Sequence, residues 1–129
     1  MHRLRDKRGE RGAAAVEFAL VLPVLILLIL GLLEFGRLYN VQISLANAAR
    51  EGARTMVLTK NSAQARTAAI AAAPSVSPAI AAGQIVFSPA ACATGVQMKV
   101  TVTYSATLMT GFFGTTLPLR GVGVMRCGG

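Results

Sequence analysis

Histidine, aspartate and tryptophan are nearly missing from this 129-residue chain: one His (His2), one Asp (Asp6) and no Trp. Beyond residue 12 the only carboxylate side chains are Glu17, Glu34 and Glu51. Zinc sites are built from His and Cys, general acid–base chemistry from His or paired carboxylates, and nucleophile triads from both. The chain has too few of these groups to assemble any of them, so it reads as a non-enzyme with no metal and no cofactor. Aromatic residues make up 5% of the chain, which leaves no material for an aromatic-rich core or a sugar-stacking cleft. No phosphate-binding loop and no metal-ligand spacing occurs.

Apolar residues, by contrast, make up 53% of the chain, and they are concentrated. From Phe18 to Leu33 no polar side chain interrupts the sequence FALVLPVLILLILGLL. Including Ala13 to Val16 and the single acid Glu17, the run reaches 21 residues, about 31 Å of helix at ~1.5 Å per residue. That is the thickness of a bilayer's hydrocarbon core. Pro23 and Gly31 would weaken a soluble helix, yet both residue types are common in spanning helices. A buried helix of a soluble protein is the competing reading, and so long an unbroken run in so short a chain argues against it.

Five basic residues (Arg3, Arg5, Lys7, Arg8, Arg11) face two acids (Asp6, Glu10) ahead of the run. After it come Glu34 and Arg37, and no basic cluster until Arg50 and Arg54. The positive-inside rule therefore predicts a cytoplasmic N-terminus and an extracytoplasmic segment after Gly36. On this reading the net charge of +8 reports topology rather than nucleic-acid binding. A cleaved secretory signal is a poor fit. Its apolar region runs ~7–15 residues and ends close to an A-x-A site. Here the nearest such pattern, Ala46-Asn47-Ala48, lies thirteen residues past Leu33.

The junction between basic leader and apolar run reads Arg11-Gly12-Ala13-Ala14-Ala15-Val16-Glu17-Phe18. It resembles the processing site of type IV prepilins, where a membrane-embedded peptidase cuts after the Gly on the cytoplasmic face. The resemblance implies scission between Gly12 and Ala13, with Glu17 at the fifth mature position and Phe18 after it. A carboxylate at the bilayer is costly without a partner. A cut after Gly12 would create an ammonium at Ala13, one helical turn (~6 Å) from Glu17 and mostly charged at neutral pH with an α-amino pKa of ~7.7–8.0. The same amine on a neighbouring subunit could pair with Glu17 and set axial register in a filament. The alternative is that Glu17 is an interfacial acid at the start of a spanning helix.

The stretch Arg11 to Arg54 carries a longer resemblance. The Gly12–Phe18 junction, Val21-Leu22-Pro23, Glu34-Phe35-Gly36-Arg37 and Asn47-Ala48-Ala49-Arg50-Glu51-Gly52-Ala53-Arg54 occur in one order. In this the chain is similar to TadE-like pseudopilins of bacterial tight-adherence (Flp-type) pilus systems. What the resemblance implies is a minor pseudopilin of the inner membrane, needed for pilus assembly or attachment. Its implied partners are a prepilin peptidase, other pilins and pseudopilins, the assembly machinery and the lipid bilayer. An uncleaved single-pass scaffold of an envelope or secretion complex is the alternative, and a small extracytoplasmic binding protein a more remote one.

From Arg37 to Thr59 the helix is expected to continue, with Leu38, Val41, Leu45, Ala48, Gly52 and Met56 forming one apolar stripe. That stripe would cover the chain's own sheet or a second subunit, the former being the commoner fate of such a face. Asn61 or Ser62 can cap a second helix over Ala63–Ala73, stopped by Pro74, with Pro74–Pro78 reading as a linker. Arg54, Lys60 and Arg66 read as a solvated face, with no interleaved aromatics to suggest nucleic acid. A short strand is expected at Gln84–Ser88. Strict alternation from Val96 to Leu108 predicts a strand with one buried face. Leu117–Cys127 offers its partner, started or edged by Pro118 and weakened by Gly121 and Gly123. Phe112 and Phe113 would lid the small core. Cys92 and Cys127, both outside the membrane on this topology, are disulfide candidates.

The expected architecture is α+β: a long N-terminal helix, transmembrane then amphipathic, a short second helix and a three-stranded antiparallel sheet. The expected organisation is a basic cytoplasmic leader over 1–12, a transmembrane helix over 13–36 and a pilin-like extracytoplasmic domain over 37–129.

Overall fold

A computed structural model describes residues 3–109, 111 and 114–128, and the side chains from residue 7 onward. The expected Phe112–Phe113 lid lies outside the described residues. The fold is α+β. Helix α1 (Arg3–Thr59) is followed by α2 (Ser62–Ala71), a 3-10 turn at Ala82–Gln84, and strands β1 (Ile85–Ser88), β2 (Gln97–Thr107) and β3 (Thr116–Arg126). The strands form one antiparallel sheet in the order β1-β2-β3. The chain divides into two compact units, Met1–Phe35 and Gly36–Gly129, each described here by itself.

In the first unit α1 already begins within the basic leader and passes Gly12 and Pro23 in helical form. Its long aliphatic side chains stay exposed on all sides, Leu20 at 70%, Leu28 at 60% and Leu32 at 72%. A core helix of a soluble protein would be mostly buried, whereas none of this apolar window is. By length and composition it is a candidate membrane span.

In the second unit the rest of α1 lies on the sheet. Val41, Leu45, Ala48, Gly52 and Met56 of the expected stripe are buried, with Leu38 half-buried. Ala49 and Ala53 join them at full burial, so the apolar face is wider than the stripe read from the sequence. Opposing it are Met98, Val100, Val102, Tyr104 and Ala106 of β2, with Ile85 and Phe87 of β1. The stripe therefore covers the chain's own sheet. Val96 and Leu108, the expected ends of the alternation, fall outside β2, and Val96 is exposed.

Two glycines set how closely helix and sheet approach. A Cβ on Gly121 would collide with the backbone of Leu45 and Ala46, and one on Gly123 would stand 2.5 Å from the Ala49 carbonyl oxygen. Their effect on β3 is thus the reverse of a weakening. Bare backbone at 121 and 123 is the seat on which α1 rests, and the strand keeps its full pairing with β2 from Thr116 to Arg126.

Helix α2 is capped by Asn61, whose side chain accepts from the Gln64 N–H at 3.1 Å. It packs through Ala65 and Ala69, and Ala69 lies against Gly52 of α1. It ends at Ala71, two residues before its expected end. The Pro74–Pro78 segment is not a free linker. Val76 is buried, the Ser75 hydroxyl lies 2.8 Å from that of Ser44, and the Tyr104 hydroxyl donates to the Pro78 carbonyl at 2.8 Å. A tyrosine in a small core needs such an acceptor for its O–H, and the proline-rich segment supplies it.

Candidate functional site at the leader junction

Gly12, Ala13, Glu17 and Phe18 all lie on α1 in the first unit, and all four are exposed. Nothing approaches the Cβ position of Gly12 within 4 Å. Glu17 follows Ala13 by one turn, so the two stand on one face of the helix, about 6 Å apart along the axis. Glycine is a poor helix former by about 1 kcal/mol relative to Ala, and Gly9 and Gly12 both fall on this side of the apolar run. The helix is therefore intrinsically weakened just before the switch from charge to hydrocarbon. No group of three or more His, Cys, Asp or Glu side chains able to hold a metal occurs among the described residues.

The remaining sequence-derived positions fall in the second unit. Cys92 and Cys127 form a disulfide with their Cα atoms 5.7 Å apart. The Cys127 N–H donates to the Val96 carbonyl at 2.8 Å, and Gly95 donates back to the Cys127 carbonyl at 2.9 Å. The bridge thus ties the loop ahead of β2 to the end of β3. Arg66 is not simply solvated, because its guanidinium carbon lies 5.0 Å from the centre of the Phe87 ring.

Two polar residues of α1 act in ways that the sequence did not signal. The Arg37 guanidinium donates to the Thr107 carbonyl at the end of β2, and the Gln42 amide donates to the Arg120 carbonyl of β3 at 2.7 Å. Both bonds span about 70 residues or more, and no local pattern announces them. The stretch Asn47–Arg54 also acquires a packing role. Ala48, Ala49, Gly52 and Ala53 face inward, while Asn47, Arg50 and Arg54 are exposed. An added Cβ on Gly52 would stand 3.2 Å from Ala69 and 3.5 Å from Val100.

These features define a chain with one candidate membrane helix and a small disulfide-bridged α+β unit. The family model of TadE-like proteins matches residues 12–54, the same family that the sequence resembles. The match lies wholly within α1 and covers a third of the chain. Together with the exposed apolar helix it supports a pilus-related membrane protein, and the matched family is one of structural pilus components and not a known enzyme family. No curated protein and no solved structure matches the chain.

Proposed function

We infer that the chain is a TadE-like minor pseudopilin, held in the bacterial inner membrane by residues 13–36 and required for assembly of a tight-adherence pilus. A prepilin peptidase cuts between Gly12 and Ala13 on the cytoplasmic side, and the unit from residue 37 onward stands outside. The observation that carries this reading is the coincidence of Gly12, Ala13 and Glu17 with the point where the basic leader gives way to an apolar helix exposed on every side. Scission supplies the Ala13 ammonium that Glu17 lacks in the uncut chain, either within one subunit or across two. The substrate bond is helical here, so the peptidase must open the first turns, and Gly9 and Gly12 lower that cost. The uninterrupted helix through residue 12 favours one second reading, an uncleaved single-pass scaffold.

The test is the N-terminal mass of the membrane-extracted protein, compared with a host lacking prepilin peptidase and with a Glu17→Ala variant. An N-terminus at Ala13 that disappears without the peptidase is the expected result. With Glu17→Ala, cleavage persists while recruitment into pili falls. Retention of Met1 through Gly12 in the native host would transfer the assignment to the scaffold.

A further inference from the structure

The outer side of the sheet and the free edge of β3 share an unusual chemistry. Residues 36–129 contain eight Lys and Arg residues against a single acid, Glu51, so this unit carries +7 of the chain's +8. Most of the excess charge therefore sits in the second unit, apart from the five basic residues and two acids of residues 1–12 on which the topological expectation rests. Lys99, Arg120 and Arg126 stand exposed on the face of the sheet opposite the helices, among Thr103, Ser105 and Thr107, with no carboxylate on any of the three strands.

The backbone along the same edge is open. At one end of β3 the Cys127 N–H donates to Val96, and at the other the Thr115 carbonyl accepts from Leu108. Odd-numbered residues of β3 therefore turn their backbone groups toward β2, and even-numbered ones turn theirs away. The Gln42 bond to the Arg120 carbonyl agrees, since it reaches that oxygen from the side that β2 does not occupy. Pro118, which has no N–H, also falls on the free side, where a proline costs no ladder bond. At Val122 and Val124 the outward N–H and C=O groups have no strand beside them among the described residues. Both side chains are 41–50% exposed. Arg120 and Arg126 bracket them.

We propose that this edge of β3 receives an acidic β-segment of another protein by strand addition. Charge decides against a second copy, because that copy would bring its own +7 and one carboxylate side chain. The pattern along the even positions, Arg-Val-Val-Arg, asks for acid, apolar, apolar, acid at alternate residues of the incoming strand. Main-chain bonds at Val122 and Val124 would supply affinity, and the two arginines would set register. A free polyanion such as a polysaccharide would satisfy the arginines but leave the backbone groups and valines unused. The proposal is independent of leader cleavage.

The test uses the full chain in neutral detergent micelles and a labelled, end-blocked peptide Glu-Thr-Val-Thr-Val-Thr-Glu, read by fluorescence anisotropy. Its register is the same in either direction. The expected result has three parts. The peptide binds. A peptide of equal charge with Pro at the first Val and at the Thr after it, so that a lost N–H faces β3 in either strand direction, binds at least tenfold more weakly. The variant Arg120→Glu/Arg126→Glu loses at least tenfold for the Glu peptide and gains binding to Lys-Thr-Val-Thr-Val-Thr-Lys. Formation of the Cys92–Cys127 bridge in that variant verifies its fold. Equal binding of the Pro peptide, or competition by dextran sulfate as effective as by the unlabelled peptide at equal charge, would reduce the surface to a general anion binder and overturn the proposal. So would absence of binding, or a charge-reversed variant that keeps the original preference.

Discussion

Helix α1 contains two helices in the physical sense. Between Ala13 and Leu33 it presents large aliphatic side chains in every direction, and they are exposed. Between Arg37 and Thr59 it presents a face of Val, Leu and Ala residues that is buried, and a face of Asn, Gln, Arg and Thr residues that is exposed or half-buried. Both halves belong to one continuous α-helix, interrupted in its bonding only by Pro23, which has no N–H to donate. What differs is the solvent each half is written for. A side chain that faces lipid need only be apolar and can be large, whereas one that faces a sheet must also fit, and alanine over glycine is the closest fit available.

The largest break in this comparison comes from filling the seat. Gly121→Val with Gly123→Val should cost about 4 kcal/mol or more, because α1 backbone occupies the space that each new Cβ requires. Pulse proteolysis of the full chain in urea would register this as loss of the resistant second unit. Gly31→Val, where nothing lies within 4 Å, should leave that unit unchanged.

Replacing Cys92 and Cys127 by Ser should cost about 3–4 kcal/mol, the chain-entropy value for a separation of 35 residues. The same proteolysis midpoint measures it, and equality with the wild type under reducing conditions would identify the bridge as the cause. Leu45→Ala, at a fully buried position, should cost about 3 kcal/mol. Leu28→Ala, 60% exposed in the other half, should have no effect on the same midpoint.

A charge separates the halves in the opposite sense. Leu25→Arg places a cation near the middle of the apolar run, at about 2.5–3.5 kcal/mol on insertion scales, and should lower the share of the protein in the membrane fraction on flotation without abolishing it. An Arg in place of exposed Leu58 should not. The smallest effect expected is that of Gln42→Ala, about 1 kcal/mol for one exposed hydrogen bond to Arg120.

Periodicity carried much of the fold into view. The alternation through β2 and the three-and-four spacing of the α1 stripe are local consequences of which face is buried, so they can be read along the chain. Asn61 ahead of an alanine-rich segment announces α2 in the same way. What stayed hidden depends on distant partners. Gly121 and Gly123 look like defects in a strand until a helix from 75 residues earlier is laid on them. Pro74–Pro78 looks like a linker until Tyr104 finds its acceptor there. The charge of the second unit was legible from the start, but its meaning waited on β3 being an edge strand.

The sequence by itself determined the candidate membrane helix, the lack of His and Asp after residue 12, the α+β class and the switch from basic to apolar residues at Gly12, because each depends on composition or on spacing within a few turns. Only the tertiary structure decided that the amphipathic half of α1 covers its own sheet, that two glycines are its seat and that β3 keeps a free, basic edge. Those outcomes depend on which surfaces meet, and surfaces remote in sequence meet only after the chain has folded.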